Sequence, residues 1–164
     1  MERSRDQGAH VIRYPPEASE LSQEVFTILH KADKTINPIT IVATVDSDGT
    51  PRTAPFGSLR AVTPKLLRLV SWRGHGTYTN LCRDGHVMVS LLAPPNIAIS
   101  VRGRARVIKE RMNADVNHAI VEIDIEEVKN DMVRKIVIET PVTASILKEH
   151  QEWFQAVLGE AEEI

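Results

Sequence analysis

The chain has a single cysteine, Cys82, so no internal disulfide can form and no cysteine pair can begin a zinc site. Aromatic residues make up only 4% of the sequence, which leaves little material for a base-stacking surface. No apolar run approaches the length needed to cross a membrane, and the N-terminus goes directly into polar residues without an apolar signal core. Neither sign of charge dominates: 20 Lys and Arg face 22 Asp and Glu, so there is no global attraction for nucleic acid or anionic lipid. These absences lead us to expect a cytoplasmic protein that engages neither membrane nor nucleic acid. What remains, 42% hydrophobic and 26% charged over 164 residues, suits one globular domain spanning 1–164.

Along the chain, Leu21, Val25, Ile28 and Leu29 recur at helical spacing after Pro15-Pro16, predicting an N-terminal helix at about 17–34. The period then changes. Ile39 to Val45 is rich in β-branched residues, Asp46-Ser47-Asp48-Gly49 supplies a turn, and Pro51 to Phe56 returns as the second arm of a hairpin. Pro51 and Pro55 cannot donate ladder hydrogen bonds, which makes this arm an edge or an irregular strand. Further strands are expected at Leu66 to Trp72, His86 to Leu92 and Ile97 to Lys109, with a short helix from Thr77 to Arg83. Ala119 to Ile125 alternates as a strand, Ile136 to Thr140 reads as another β-rich run, and a terminal amphipathic helix is expected at about 144–159. Short strands joined by tight turns predict a mainly β chain with flanking helices, built as an antiparallel barrel.

Three segments can carry chemistry. Ser71 to Leu81 joins a strand end, a loop punctuated by Gly74 and Gly76, and a helix start. Backbone N–H groups of such a loop and of the first helical turn bind anions, with Arg73, His75, Thr77 and Thr79 adding side-chain donors. An ordinary strand-to-helix connection with caps explains the same residues. Arg52, beside the hairpin turn, suits a phosphate or a ring carbonyl, or it is simply solvated. Arg102, Arg104 and Arg106 share one strand face, which reads as a solvent or interface side before it reads as a nucleic-acid surface. The six histidines are scattered without metal-ligand spacing, no nucleophile elbow is present, and Cys82 is expected to pack in the apolar side of its helix.

Taken in order, Ile41 to Pro55, Leu69 to Leu81, Arg83 to Val87 and Val101 to Ala105 resemble the pyridoxamine 5′-phosphate oxidase-like family of FMN-binding split barrels. The resemblance runs from about Ile39 to Lys109, more weakly at Val121 to Asp131. It implies an antiparallel split β-barrel, FMN rather than FAD as cofactor, and a homodimer with flavin sites at the subunit interface. It further implies a flavin-dependent oxidoreductase acting on a small molecule, the substrate left open. By resemblance the ring lies along Arg52, Thr53, Ala54 and Pro55; Val70, Ser71 and Trp72 line the flavin; and Arg73, His75, Thr77 and Asn80 surround its phosphate end. Many relatives carry Lys or Arg where this chain has Gly76 and Thr77, and the C-terminal substrate segment of the named oxidases has no counterpart. The competing expectation is a non-enzymatic flavin or tetrapyrrole carrier or a stress-related sensor.

Overall fold

The computed structural model describes residues 17–164. Seven strands form one antiparallel sheet: β1 (Thr40–Val45), β2 (Pro51–Phe56), β3 (Arg60–Thr63), β4 (Leu66–Trp72), β5 (His86–Ala93), β6 (Ile97–Lys109) and β7 (His118–Asn130). Three α-helices flank it: α1 (Gln23–His30), α2 (Gly76–Arg83) and α3 (Gln151–Glu162). The strand order is β2-β1-β5-β6-β7-β4-β3.

That order determines the shape. The two end strands, β2 and β3, are consecutive in the chain and separated only by Gly57, Ser58 and Leu59. Four backbone steps reach at most about 14 Å, so the sheet must curl until its ends nearly meet. β2 and β3 are nevertheless not hydrogen-bonded to each other, and the result is a split rather than a closed barrel. Ser58 works at the seam: its hydroxyl donates to the Val70 carbonyl at 2.9 Å and accepts from the Val70 N–H at 3.1 Å.

Alternating residues fill the barrel. Val42, Leu67, Leu69, Val89, Leu91, Val101, Val121 and Ile123 are all essentially buried, joined by Val25 and Leu29 from the apolar face of α1 and by Leu21 just before it. A smaller cluster on the outer face places Val157 and Ala161 of α3 against Val70, Met112 and Ile120. On β6 the arginine face points outward and Val101, Gly103 and Ala105 point in. A Cβ at position 103 would lie 2.6 Å from the Asp124 carbonyl oxygen, so the bulged β6–β7 pairing requires glycine there.

Several boundaries differ from the sequence expectations. The N-terminal helix starts at Gln23, because Ser22 caps the Val25 N–H and Ala18 is drawn into a bridge with Val128. It stops at His30, where Lys31 turns left-handed with φ 49°. The terminal helix spans Gln151–Glu162 rather than 144–159: Asn37 holds both the N–H and the carbonyl of Ala144, keeping that segment extended. The run Ile136 to Thr140 forms no strand: its Ile138 N–H bonds the Pro95 carbonyl in the β5–β6 turn at 2.9 Å instead of the edge of a strand. Strand β7 continues to Asn130, because its acidic residues pair with the arginines of β6.

Candidate functional site

Strand β2 pairs only with β1, so its other edge is open. The hairpin register is set by the Asp46 N–H bonding the Thr50 carbonyl at 2.8 Å. Counting from that pair, Arg52, Ala54 and Phe56 exchange hydrogen bonds with β1, and Pro51, Thr53 and Pro55 turn their backbones to the open edge. Of these three only Thr53 has an N–H. The side chains alternate likewise: Ala54 and Phe56 are buried in the core, Thr53 and Pro55 exposed.

The end of β4 lies across the seam. Val70 points to the α3 cluster, Ser71 is fully buried, and the Trp72 indole is 53% exposed, lying over Gly74. The chain then turns into α2, with His75 as its N-cap: the His75 Nδ1 accepts from the Thr77 N–H at 3.3 Å. The His75 ring also stands edge-on to Phe56, centroids 6.3 Å apart, which brings the start of α2 to the end of β2. Arg73 donates Nη2 to Glu110 at 3.1 Å, while its buried Nε has no acceptor among the described residues. Burial first, then Cys82, hold the Tyr78 hydroxyl above its ordinary range, with Arg73 acting in the opposite direction. Thr77 is buried, whereas a Cβ on Gly76 would meet nothing within 4 Å.

Asp46, which the sequence suggested only as a turn residue, organises the other side of α2. Its Oδ2 accepts Nε and Nη2 of Arg52 at 2.9 and 2.6 Å, and its Oδ1 accepts the Asn80 amide at 2.8 Å. Hydrogen bonds from Arg52 and then Asn80 hold its carboxyl below the usual carboxylate range. Asn80 also donates to the Thr44 hydroxyl at 3.0 Å and accepts from Arg83 at 3.1 Å, and Arg83 reaches the Val45 carbonyl. Arg52 and Asn80, read from the sequence as cofactor contacts, therefore meet on one carboxylate and tie α2 to the β1–β2 hairpin. No local pattern could have announced this, because Asn80 and Asp46 are 34 residues apart in sequence.

Thus Thr53 and Pro55 face the open edge with His75 at its end, Ala54 between them turns into the core, and Val70, Ser71, Trp72 and Arg73 lead into the same loop. Cys82 is exposed rather than packed, because α2 buries Thr77, Asn80 and Leu81 and turns residue 82 outward. The arginine stripe on β6 is matched by acids of β7: Arg102 with Glu126 and Glu127, Arg104 with Glu126, and Arg106 with Glu122 and Asp124. Such pairing leaves little net field for a polyanion. Among the described residues, no cluster of His, Cys, Asp and Glu is arranged to hold a metal ion, and no helix is long and apolar enough to cross a membrane.

Comparison with known proteins adds the lineage. A family model described as pyridoxamine 5′-phosphate oxidase matches residues 30–132. No curated protein matches the sequence. Among solved structures, a candidate pyridoxamine 5′-phosphate oxidase from Lactobacillus delbrueckii is 25% identical with a TM-score of 0.56, the match covering 68% of this chain and 94% of that one. An F420 reductase is 16% identical with a TM-score of 0.54, covering 64% and 95%. An FMN-binding protein from Syntrophomonas wolfei is 14% identical with a TM-score of 0.50, covering 68% and 89%. The last two are likenesses of fold.

Proposed function

The chain belongs to the pyridoxamine 5′-phosphate oxidase family, and from that premise we propose that it is an FMN-binding oxidoreductase acting on a small organic molecule. The observation that carries this reading is the convergence, at the Phe56–His75 contact, of the open edge of β2 with the start of α2. A flavin needs both parts: a strip of backbone to orient a flat ring and a cluster of N–H donors for a phosphate.

The residues fit the group. Thr53 offers the one N–H on the open edge, between the carbonyls of Pro51 and of Thr53 itself, an alternation of acceptor and donor that suits an isoalloxazine rim. The exposed Trp72 indole gives an apolar surface that excludes water beside the loop. The buried Nε of Arg73 lacks an acceptor, which an incoming phosphate oxygen would supply. His75 already occupies the Thr77 N–H, so phosphate binding adds to or replaces that cap. Arg52 and Asn80 act one step back, holding α2 against the hairpin through Asp46. When bound, the flavin supplies the electron-transfer chemistry, and no side chain here is required as the redox group.

The same reading assigns a homodimer. Val45 of β1 and Met88 and Leu92 of β5 are exposed apolar residues on adjacent strands, a face suited to a second copy. Equilibrium titration of the purified protein with FMN, FAD and F420, followed by flavin fluorescence and visible absorbance, tests the proposal. FMN is expected to bind most tightly and to be reduced by an added nicotinamide; a colourless protein that quenches none of the three overturns it.

A further inference from the structure

A cavity of about 330 Å³ opens between the end of α1, β3, β4 and the last turn of α3. Its lining shares no residue with Thr53 to Pro55, Val70 to Arg73 or the start of α2, and it does not rest on the flavin reading. Ala61, Val62 and Leu69 give it apolar walls, and two buried guanidinium groups, Arg60 and Arg68, line it as well.

The two arginines differ in what they lack. Arg68 donates Nε and Nη2 to Glu122 at 3.1 and 2.6 Å and Nη1 to the Ala161 carbonyl at 2.7 Å. Its charge and directions are satisfied. Arg60 donates Nη1 to the Gly57 carbonyl at 3.3 Å and Nη2 to the Thr35 carbonyl at 2.8 Å, but its Nε is shielded and has no acceptor among the described residues. The nearest carboxylate, Glu162, stands 3.8 Å away, beyond hydrogen-bond reach, and lies closer to Lys34 at 3.3 Å. Arg60 is 7% exposed, so this missing partner is costly. A second buried cation, Lys31, repels it.

We propose that this cavity binds a small organic monoanion, a carboxylate on a compact apolar body. The carboxylate accepts from Arg60 Nε and takes the place of Glu162 as its counter-ion; the apolar body rests on Ala61, Val62 and Leu69. Glu162 is the last residue of α3 and its side chain is 38% exposed, so it can swing into solvent without unpacking the helix. The volume is near the lower bound of small-molecule sites, about 300 Å³, which fits a single ring or a branched chain.

The test titrates acetate, isobutyrate and benzoate, with benzamide as the uncharged control, into the full-length protein while amide shifts of Ala61, Val62 and Leu69 are followed by NMR. Benzoate is expected to move these signals with an affinity at least about tenfold above that of benzamide, as loss of one charge-assisted hydrogen bond implies. Glu162→Gln removes the competing carboxylate and should tighten benzoate severalfold. Val62→Trp fills the mouth and should abolish binding, and it keeps the proposal testable if Arg60→Gln fails to fold. Shifts located elsewhere, equal binding of benzamide, or an affinity indifferent to Glu162→Gln would each overturn it. No flavin enters the assay, so its failure and that of the flavin reading are separable.

Discussion

Gly76 sets how much charge the first turn of α2 can offer an anion. The space around it is open, whereas Thr77 beside it is buried. Gly76→Arg is therefore expected to strengthen FMN binding about tenfold, roughly the effect of one charge-assisted hydrogen bond near a helix N-terminus, measured by flavin fluorescence titration. Thr77→Lys should instead lower the melting temperature, because it buries an ammonium. Lys31 is a natural instance of that burden. Its Nζ donates to the carbonyls of Ile36, Pro38 and Gly57 at 3.0, 2.8 and 3.2 Å, yet burial and then Arg60 push its pKa from 10.5 down to about 7, with Asp33 opposing. Between those two values the unfolded chain holds the proton and the folded chain tends to release it. The penalty on the folded state is thus complete below pH 7 and relieved as pH rises toward 10.5. Urea unfolding at several pH values should show stability increasing over that window, and Lys31→Met should flatten the slope.

Among the elements, β6 and β7 form the longest pair, and their charged faces differ in worth along the ladder. Glu122 is buried and receives Arg68 on one oxygen and Arg106, at 2.7 Å, on the other. Glu122→Ala leaves the buried Arg68 unpaired and is expected to cost about 3–5 kcal/mol in denaturant unfolding. Glu127→Ala removes a half-buried partner of the exposed Arg102 and should cost at most about 1 kcal/mol. Six of the seven strands were legible from alternation and β-branching, whereas the four-residue β3 was not, and the two prolines of β2 marked an edge. What could not be read was whatever depends on a distant partner. Glu126 to Asn130 has a composition equally suited to a helix until β6 supplies arginines opposite it, and Ile136 to Thr140 has strand composition yet is held by the distant Pro95 carbonyl through the Ile138 N–H. The loop from Ser71 to Asn80 announced itself through glycines, whereas the role of Asp46 depends on α2 folding back over the hairpin.

For the molecule as a whole, the exposed face carrying Val45, Met88 and Leu92 predicts association. Light scattering after size exclusion should give twice the mass of one chain, and Met88→Glu with Leu92→Lys should return it to one. The strand order also dictates when each part of the barrel can form. β5, β6 and β7 are neighbours in sequence and in the sheet, so this meander closes only short loops, while β1 must await β5 and β4 must await β7. Native-state hydrogen exchange should accordingly be slowest at Val101 and Val121 and fastest at the seam flanked by Gly57, Ser58 and Leu59. The seam adjoins both the open edge of β2 and the wall of the Arg60 cavity. A ligand that holds either side in place would then register first as slowed exchange there, making the split a built-in reporter of occupancy.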